Sequence, residues 1–224
     1  MTAAAILIAA AIGYLLGSIN SSILIVKIVK GQDIRTMGSN NAGLTNTLRC
    51  CGGFCALLTL VGDILKGVLA VYVSQIIAGA LDAGLSGDGS TRYIGYIAGF
   101  FAIIGHIFPL YFQFRGGKGV LVGVASFIII DPKVFLILLG IFIIVLLLSN
   151  YVSLSSIIAS SCCPVITLFT SWLWEGNSFG RSLLYMLLTL PMAAMVVWMH
   201  RGNIQRLKNG TERKFRKSKG TDNK

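Results

Sequence analysis

The first of three polar clusters in this sequence spans residues 33–49 and is rich in glycine, serine, threonine and asparagine. Glycines let backbone N–H groups approach a ligand closely, and hydroxyl and amide side chains add further donors. Arg49 adds a planar cation that suits a phosphate or a carboxylate. The cluster therefore predicts a site for an anionic group, and an ordinary polar loop with helix caps is the alternative interpretation.

The second cluster comprises residues 105–109 and 114–120 and contains a Gly-Gly-Lys-Gly sequence in which Lys118 is the lysine. At the start of a helix, free backbone N–H groups, the positive helix end and an ammonium group form a nest for an anion. It is not a Walker A loop, because Phe112 stands where the first glycine would be. A flexible turn is the alternative, and His106 is either structural or part of the site.

The third cluster, residues 200–212, begins where the last apolar run ends, and Asn203 and Arg206 share a helical face there. A plain basic tail is the alternative. Deeper in an apolar run, Asp63 and Lys66 are three residues apart, so they indicate either a structural ion pair or a direct substrate contact. The clusters hold several cations and few carboxylates, which favours an anionic substrate over a bound divalent metal.

The elements that position these clusters must lie in lipid, since the chain is 55% hydrophobic and only 12% charged, with a mean hydropathy of +0.80. At about 20 apolar residues per span, the sequence predicts an all-α integral membrane protein with about seven transmembrane helices. The predicted helices cover residues 3–26, 53–80, 93–111, 118–130, 134–148, 151–172 and 181–200. The fourth is short, and Asp131 and Pro132 mark a turn after it.

Lysine and arginine predict the orientation, because they concentrate in cytoplasmic loops. With the N-terminus outside, only Arg92, Lys133 and Arg181 fall in outer loops, and the C-terminus is cytoplasmic. Residues 1–211 then form a single polytopic membrane domain. Residues 212–224 form a basic tail that is expected to be mobile and that either meets anionic lipid head groups or only fixes the orientation. Because topology explains this charge, no nucleic-acid partner is expected.

In order and spacing, these segments resemble the bacterial acyl-phosphate:glycerol-3-phosphate acyltransferases, the PlsY family. The resemblance rests on residues 17–19, 33–35, 38–49, 63–67, 105–109, 116–120 and 203–212. It implies that residues 1–211 transfer an acyl group from an acyl phosphate to the sn-1 hydroxyl of glycerol 3-phosphate, giving lysophosphatidic acid and phosphate, the first step of phospholipid synthesis. It also implies a monomer without a cofactor in the bacterial inner (plasma) membrane, with the site facing the cytoplasm.

The resemblance further implies roles for single residues. The residues implied to hold glycerol 3-phosphate are Ser39, Arg49 and Asn203. Lys118, with Gly116 and Gly117, would bind the acyl phosphate and stabilise negative charge during transfer. The other implied substrate-binding residues are Asn41, Thr45, Asn46, His106, Ser156, Arg206 and Glu212. Since an acyl phosphate is already activated, no protein nucleophile is required, and a substrate phosphate is expected to act as the base.

Two other classes of function remain open from the residues alone. A membrane transporter for an organic phosphate would show paired inverted halves and broken helices at mid-membrane. A non-catalytic membrane scaffold would not need three clusters rich in glycine and amide side chains. The polar residues of this chain concentrate at one predicted face, which favours the enzyme.

Overall fold

The computed structural model describes residues 3–81 and 90–215, and every regular element in these residues is a helix. The α-helices of this described part are α1 (Ala3–Gly17), α2 (Ser21–Lys30), α3 (Leu44–Leu81), α4 (Ser90–Ile107), α5 (Val120–Ile130), α6 (Pro132–Ser149), α7 (Val152–Phe169), α8 (Phe179–Met199) and α9 (Arg201–Lys208). The predicted all-α class is confirmed. Residues 216–224, most of the tail predicted to be mobile, lie outside the described residues.

Six segments of the described chain are long and apolar enough to cross a membrane. They are Ala3–Lys30, Leu44–Leu81, Thr91–Phe112, Pro132–Ser149, Val152–Trp174 and Phe179–Met199. The shorter apolar helix α5 follows Gly119, whose φ of 80° is accessible to glycine, and the predicted turn after it is present, because Asp131 caps α6. The prediction of about seven membrane helices, including a short fourth, is therefore confirmed.

The first predicted span is not one helix, because residues 18–20 separate α1 from α2. The Oδ1 atom of Asn20 accepts a hydrogen bond from the N–H of Ile23 at 3.1 Å and so caps α2. Both flanking segments are apolar, which is why hydropathy predicts a single helix over residues 3–26. The break places the carbonyl oxygen of Ile19 and the amide of Asn20 inside the bundle, where Asn20 donates to the carbonyl oxygen of Ala42 in the first polar cluster.

Helix α3 begins well before the predicted span 53–80. The carbonyl oxygen of Gly43 accepts hydrogen bonds from the N–H groups of Asn46 and Thr47, which starts the helix at Leu44. A kink follows at Gly52, where φ is 82° and ψ is −178°. The end of the first polar cluster is therefore a short polar helix rather than a loop. Its side chains project from a rigid element toward the site.

Small residues bring α1 and α4 into close contact. A Cβ atom on Gly13 would lie 2.4 Å from the carbonyl oxygen of Ala98, and one on Gly17 would lie 2.3 Å from that of Ala102. Such small-residue seams let membrane helices approach closely, which favours van der Waals packing. The seam fixes the position of α4, which ends in the second polar cluster.

An ion cluster ties together the end of the bundle away from Lys118. Arg92 on α4 pairs with Glu175, which follows α7, and lies 3.5 Å from the Oδ2 atom of Asp131, before α6. Lys133 approaches the same Glu175 at 3.7 Å. The Arg92 guanidinium holds the pKa of Glu175 below its usual range. This cluster joins α4, the start of α6 and the segment after α7 at the face opposite the predicted site.

Candidate functional site

The three polar clusters meet around one cavity of about 1240 Å³ at one end of the bundle. The predicted site residues that line it are Ser39, Asn41, Thr45, Asn46, Arg49, His106, Gly116, Lys118, Ser156, Asn203, Arg206 and Glu212. Gly117 does not line the cavity. The predicted meeting of the clusters is confirmed, whereas the roles of the residues in binding and catalysis stay predictions.

Asn46 braces the first polar loop from within. Its Oδ1 atom accepts from the N–H of Ser39 at 2.9 Å, and its Nδ2 atom donates to the carbonyl oxygens of Met37 at 3.0 Å and Asn41 at 3.1 Å. The loop reverses at Asn40, where φ is 56°. Because loop atoms use both ends of the Asn46 amide, its geometry is that of a support for Ser39.

Arg35 connects the loop of the first polar cluster to the loop that contains Phe112 and Arg115 in and beside the second polar cluster. Its Nη1 atom donates to the carbonyl oxygens of Phe112 at 2.7 Å and Arg115 at 3.2 Å, while its Nε and Nη2 atoms bind Asp33. The guanidinium beside it holds the pKa of Asp33 below its usual range. This cation therefore serves loop structure and is not placed to bind a substrate.

Gly116 and Gly117 allow close packing rather than supplying free donors. Their N–H groups donate to the carbonyl oxygens of Ile107 at 3.0 Å and His106 at 3.1 Å. The Gly-Gly-Lys-Gly run predicts an anion nest, but the N–H groups of Gly116 and Gly117 are not available for it, because these two carbonyl oxygens accept from both. A Cβ atom on Gly116 would lie 2.0 Å from the carbonyl oxygen of His106. The anion-attracting groups left here are Lys118 and the positive end of α5.

A chain of hydrogen bonds links Lys118 to the third cluster. The Nζ atom of Lys118 donates to Oδ1 of Asn203 at 2.5 Å, and Nδ2 of Asn203 donates to Oε1 of Glu212 at 2.7 Å. The same carboxylate accepts from Arg206 Nε at 2.7 Å and from Ser153 at 2.8 Å. Asn203 and Arg206 thus share a face of α9 as predicted, and Glu212 holds both.

Burial and hydrogen bonds together determine the charges of Lys118 and Glu212. Burial lowers the pKa of Lys118 to about 8, against the opposing effect of the Glu212 carboxylate, while the charges of Arg206 and Arg49 lower it further. Burial alone would raise the pKa of Glu212, but hydrogen bonds from Asn203 and Arg206 hold it below its usual range. At neutral pH, Lys118 is therefore mostly an ammonium and Glu212 a carboxylate.

His200 lines the same cavity and is absent from the predicted site residues. Its Nδ1 atom lies 2.8 Å from the carbonyl oxygen of Val196, which can only accept, so Nδ1 carries the proton and Nε2 is left as an acceptor. Burial and the charge of Lys118 lower the pKa of His200 to about 4, so the ring is neutral at pH 7. Its spacing of three residues from Asn203, which gives a shared helical face, is the sequence signal for it.

The remaining predicted residues differ in exposure. Ser39 and Arg49 are exposed at the rim of the cavity, and Asn41 and Thr45 are half-buried beside them. Ser156 lies deeper, where its hydroxyl donates to the carbonyl of its own helix at 2.9 Å and its oxygen can still accept. The donors of the first cluster therefore face solvent, and a substrate would meet them first.

The cavity continues below this polar mouth between apolar walls. On α7, Ser153, Ser156, Ala159 and Cys163 follow one face of the helix, which at 1.5 Å per residue spans roughly 15 Å. Other residues of the apolar wall are Phe127, Leu138 and Met192. With Cys163, these form part of the buried core of the bundle. The cavity thus joins a cationic mouth to an apolar interior.

Comparisons with known proteins agree over nearly the whole chain. The family model described as Glycerol-3-phosphate acyltransferase matches residues 7–210. Proteins named glycerol-3-phosphate acyltransferase from Clostridioides difficile (strain 630) and Prochlorococcus marinus (strain MIT 9301) are 38% and 41% identical, covering 95% and 90% of this chain and 97% and 93% of those proteins. A crystal structure of PlsY, described as an integral membrane glycerol 3-phosphate acyltransferase in its glycerol 3-phosphate form, has a TM-score of 0.74 at 30% identity, covering 94% of this chain and 96% of that one. Its lysophosphatidic acid form has a TM-score of 0.70 at 28% identity, covering 93% and 94%.

Proposed function

The chain belongs to the glycerol-3-phosphate acyltransferase family, and we propose that it transfers an acyl group from an acyl phosphate to the sn-1 hydroxyl of glycerol 3-phosphate. The products are lysophosphatidic acid and inorganic phosphate. The observation that carries the proposal is the cavity whose cationic mouth opens into an apolar interior. Such a cavity suits a donor with a phosphate head and an acyl tail.

The acceptor, glycerol 3-phosphate, binds at the rim. Arg49 is exposed there, and its guanidinium suits a phosphate because two parallel N–H groups can bind two oxygens. Ser39, whose backbone is fixed by Asn46, and Asn203 supply further donors. The solved relatives in glycerol 3-phosphate and lysophosphatidic acid forms support this acceptor and this product.

The donor phosphate binds beside Lys118. The ammonium is held by Asn203, and Asn203 is held by Glu212, so the charge has a fixed position before the substrate arrives. The positive end of α5 adds to the attraction for an anion. The acyl chain then extends into the apolar interior toward Cys163 and Met192, where burial of methylene groups supplies binding free energy.

The transfer needs no covalent bond to the protein. The sn-1 hydroxyl oxygen attacks the carbonyl carbon of the acyl phosphate and forms a tetrahedral oxyanion, which then expels phosphate as the C–O bond breaks. Lys118 stabilises the negative charge that develops on the carbonyl oxygen and on the leaving phosphate. Holding both substrates in one geometry supplies much of the rate, since the donor is already activated.

The hydroxyl proton passes to an oxygen of a substrate phosphate. His200 Nε2 is the competing acceptor, because this ring is neutral and its Nδ1 is already bonded. A methyl acyl phosphate keeps a phosphate leaving group but lacks the basic dianion, so transfer from it should slow by about 100-fold. An unchanged rate with this donor would exclude the donor phosphate and leave the phosphate of glycerol 3-phosphate or His200 as the base.

The protein acts in the bacterial inner membrane, with the cavity mouth facing the cytoplasm and one chain forming a complete site. The concentration of basic residues at the mouth end supports this orientation. A transporter of organic phosphate would need its cationic site near mid-membrane, whereas the cations that line this cavity, among them Lys118 and Arg206, lie at its mouth.

The test is transfer by purified protein in lipid. With palmitoyl phosphate and glycerol 3-phosphate, phosphate release should require both substrates and should equal the lysophosphatidic acid formed. Lys118→Met should lower the rate by about 100-fold, whereas the matched control Lys133→Met, at the far end of the bundle, should retain it. No release across several acyl-chain lengths would refute the proposal, and uptake of glycerol phosphate into vesicles would then support the transporter.

A further inference from the structure

Lys66 is a lysine buried within the membrane-spanning helix α3, where an ammonium is costly unless it is paired. Lys66 is 5% exposed and Asp63, one turn earlier, is 1% exposed. Their Nζ and Oδ1 atoms are 2.8 Å apart, so the ion pair expected from their spacing is confirmed. The proposed chemistry of the cavity makes no use of this pair.

Three groups surround the Lys66 ammonium, of which the Asp63 carboxylate forms an ion pair and the other two accept hydrogen bonds. Besides Asp63, they are the carbonyl oxygen of Ile19 at 2.9 Å and the Nδ1 atom of His106 at 2.8 Å. Ile19 lies in the break between α1 and α2. The lysine therefore joins α3 to this break and to the end of α4.

The contact with Lys66 fixes the tautomer of His106. Since an ammonium can only donate, Nδ1 of His106 must be unprotonated, and Nε2 carries the ring proton. The space for a Cβ atom on Gly117 lies 2.1 Å from this Nε2 and 2.5 Å from the carbonyl oxygen of Ala42. Asn20 donates to that same carbonyl at 3.4 Å. The protonated nitrogen thus faces the point where the first and second polar loops meet.

We propose that Lys66 is a positioning residue of the acyl transfer site. Its ammonium, balanced by Asp63, holds His106 as the Nε2–H tautomer and so fixes the spacing between the loop of Ser39 and the loop of Lys118. Acceptor and donor bind to different loops, so this spacing aligns the hydroxyl with the acyl carbon. The inference rests on the proposed acyl transfer, but the state of His106 can be measured without any activity.

The test uses the two histidines of the chain. In untagged protein labelled with nitrogen-15 histidine, the NMR spectrum should show opposite tautomers, Nε2–H for His106 and Nδ1–H for His200. Lys66→Met leaves the Asp63 carboxylate 3.9 Å from Nδ1 of His106, so the His106 signals should move toward the Nδ1–H form while those of His200 stay unchanged. Unchanged His106 signals in the variant, or the Nδ1–H tautomer at His106 in the wild type, would overturn the proposal.

Kinetics provide the second readout. In Lys66→Met, kcat should fall by about 100-fold through misalignment, with the KM of each substrate little changed, because each loop still binds its own substrate. A raised KM with unchanged kcat would instead make Lys66 a substrate ligand and refute positioning. If the single variant does not fold, Asp63→Asn combined with Lys66→Met leaves no unpaired buried charge and is measured in the same way.

A matched control tests whether the effects are specific to Lys66, and the histidine spectra separate the positioning role from the proposed acyl transfer. Lys133→Met removes a lysine that pairs with a carboxylate at the other end of the bundle, so neither the His106 tautomer nor kcat should change. If the wild-type protein transfers no acyl group, the proposed function fails, while the histidine spectra still decide whether Lys66 fixes His106.

Discussion

Raising the pH above 8 should remove the charge of Lys118 and with it the affinity for the acyl phosphate. Burial lowers the pKa of this lysine to about 8, so the ammonium is present below that pH and is lost as the pH rises through it. Phosphate monoesters lose their second proton at about pH 6. A decline above pH 8 therefore reports the lysine rather than the acceptor substrate.

The size of the decline follows from that pKa. The kcat/KM for the acyl phosphate reports groups of the free enzyme. The protonated fraction falls about tenfold for each pH unit well above the pKa, so kcat/KM at about pH 9 should be roughly a tenth of its plateau. The assay is phosphate release between neutral and alkaline pH, with the spontaneous hydrolysis of the donor subtracted at each point.

Two variants identify the titrating group. Lys118→Arg keeps a cation throughout this range, so its kcat/KM should be lower at neutral pH but independent of pH above it. Glu212→Gln removes a carboxylate that favours the ammonium, so the decline should move to lower pH. A parallel decline in the wild type and in Lys118→Arg, or no decline in the wild type, would show that Lys118 is not the titrating group.

Three further changes test other parts of the structure. Gly117→Ala should lower kcat/KM by about 100-fold, because its Cβ would lie 2.1 Å from Nε2 of His106, whereas Gly140→Ala, with nothing within 4 Å, should be neutral in the same assay. Cys163→Phe should fill the apolar interior and shift the ratio of kcat/KM values toward shorter acyl phosphates, and an unchanged ratio would place the acyl chain elsewhere. Arg92→Met should lower the free energy of unfolding by roughly 2 kcal/mol without changing KM, measured by thermal unfolding in lipid.

Hydropathy predicted the membrane helices well, because lipid selects long apolar runs whatever the packing inside the bundle. It missed two features that depend on side-chain hydrogen bonds rather than on hydropathy. The break before α2 depends on the cap that Asn20 provides, and both sides of it are apolar. The first turn of α3 is rich in polar residues, so its composition is typical of a loop. Its helical structure is stabilised by contacts of Asn46 with the loop that contains Ser39.

The meeting of the clusters was predictable, since the topology places all three at one face of the membrane. The sequence could not predict which hydrogen-bond donors remain available to a ligand. The sequence around Gly116 and Gly117 is typical of an anion-binding nest. In the structure, however, the N–H groups of both glycines donate to carbonyl oxygens of residues that hydropathy assigns to the preceding helix. The spacing of His200 from Asn203 gave a signal for its place in the site, but its free acceptor nitrogen follows only from the contact of its Nδ1 atom with Val196.

An isotope label tests whether the sn-1 hydroxyl attacks the carbonyl carbon of the acyl phosphate directly. Purified protein would be given palmitoyl phosphate and glycerol 3-phosphate carrying oxygen-18 at the sn-1 hydroxyl, and both products would be analysed by mass spectrometry. If the hydroxyl attacks directly, lysophosphatidic acid should retain all of the label, the released phosphate should have none, and no acylated protein should accumulate. Label in the phosphate, an acyl group on the protein, or no lysophosphatidic acid would contradict direct attack.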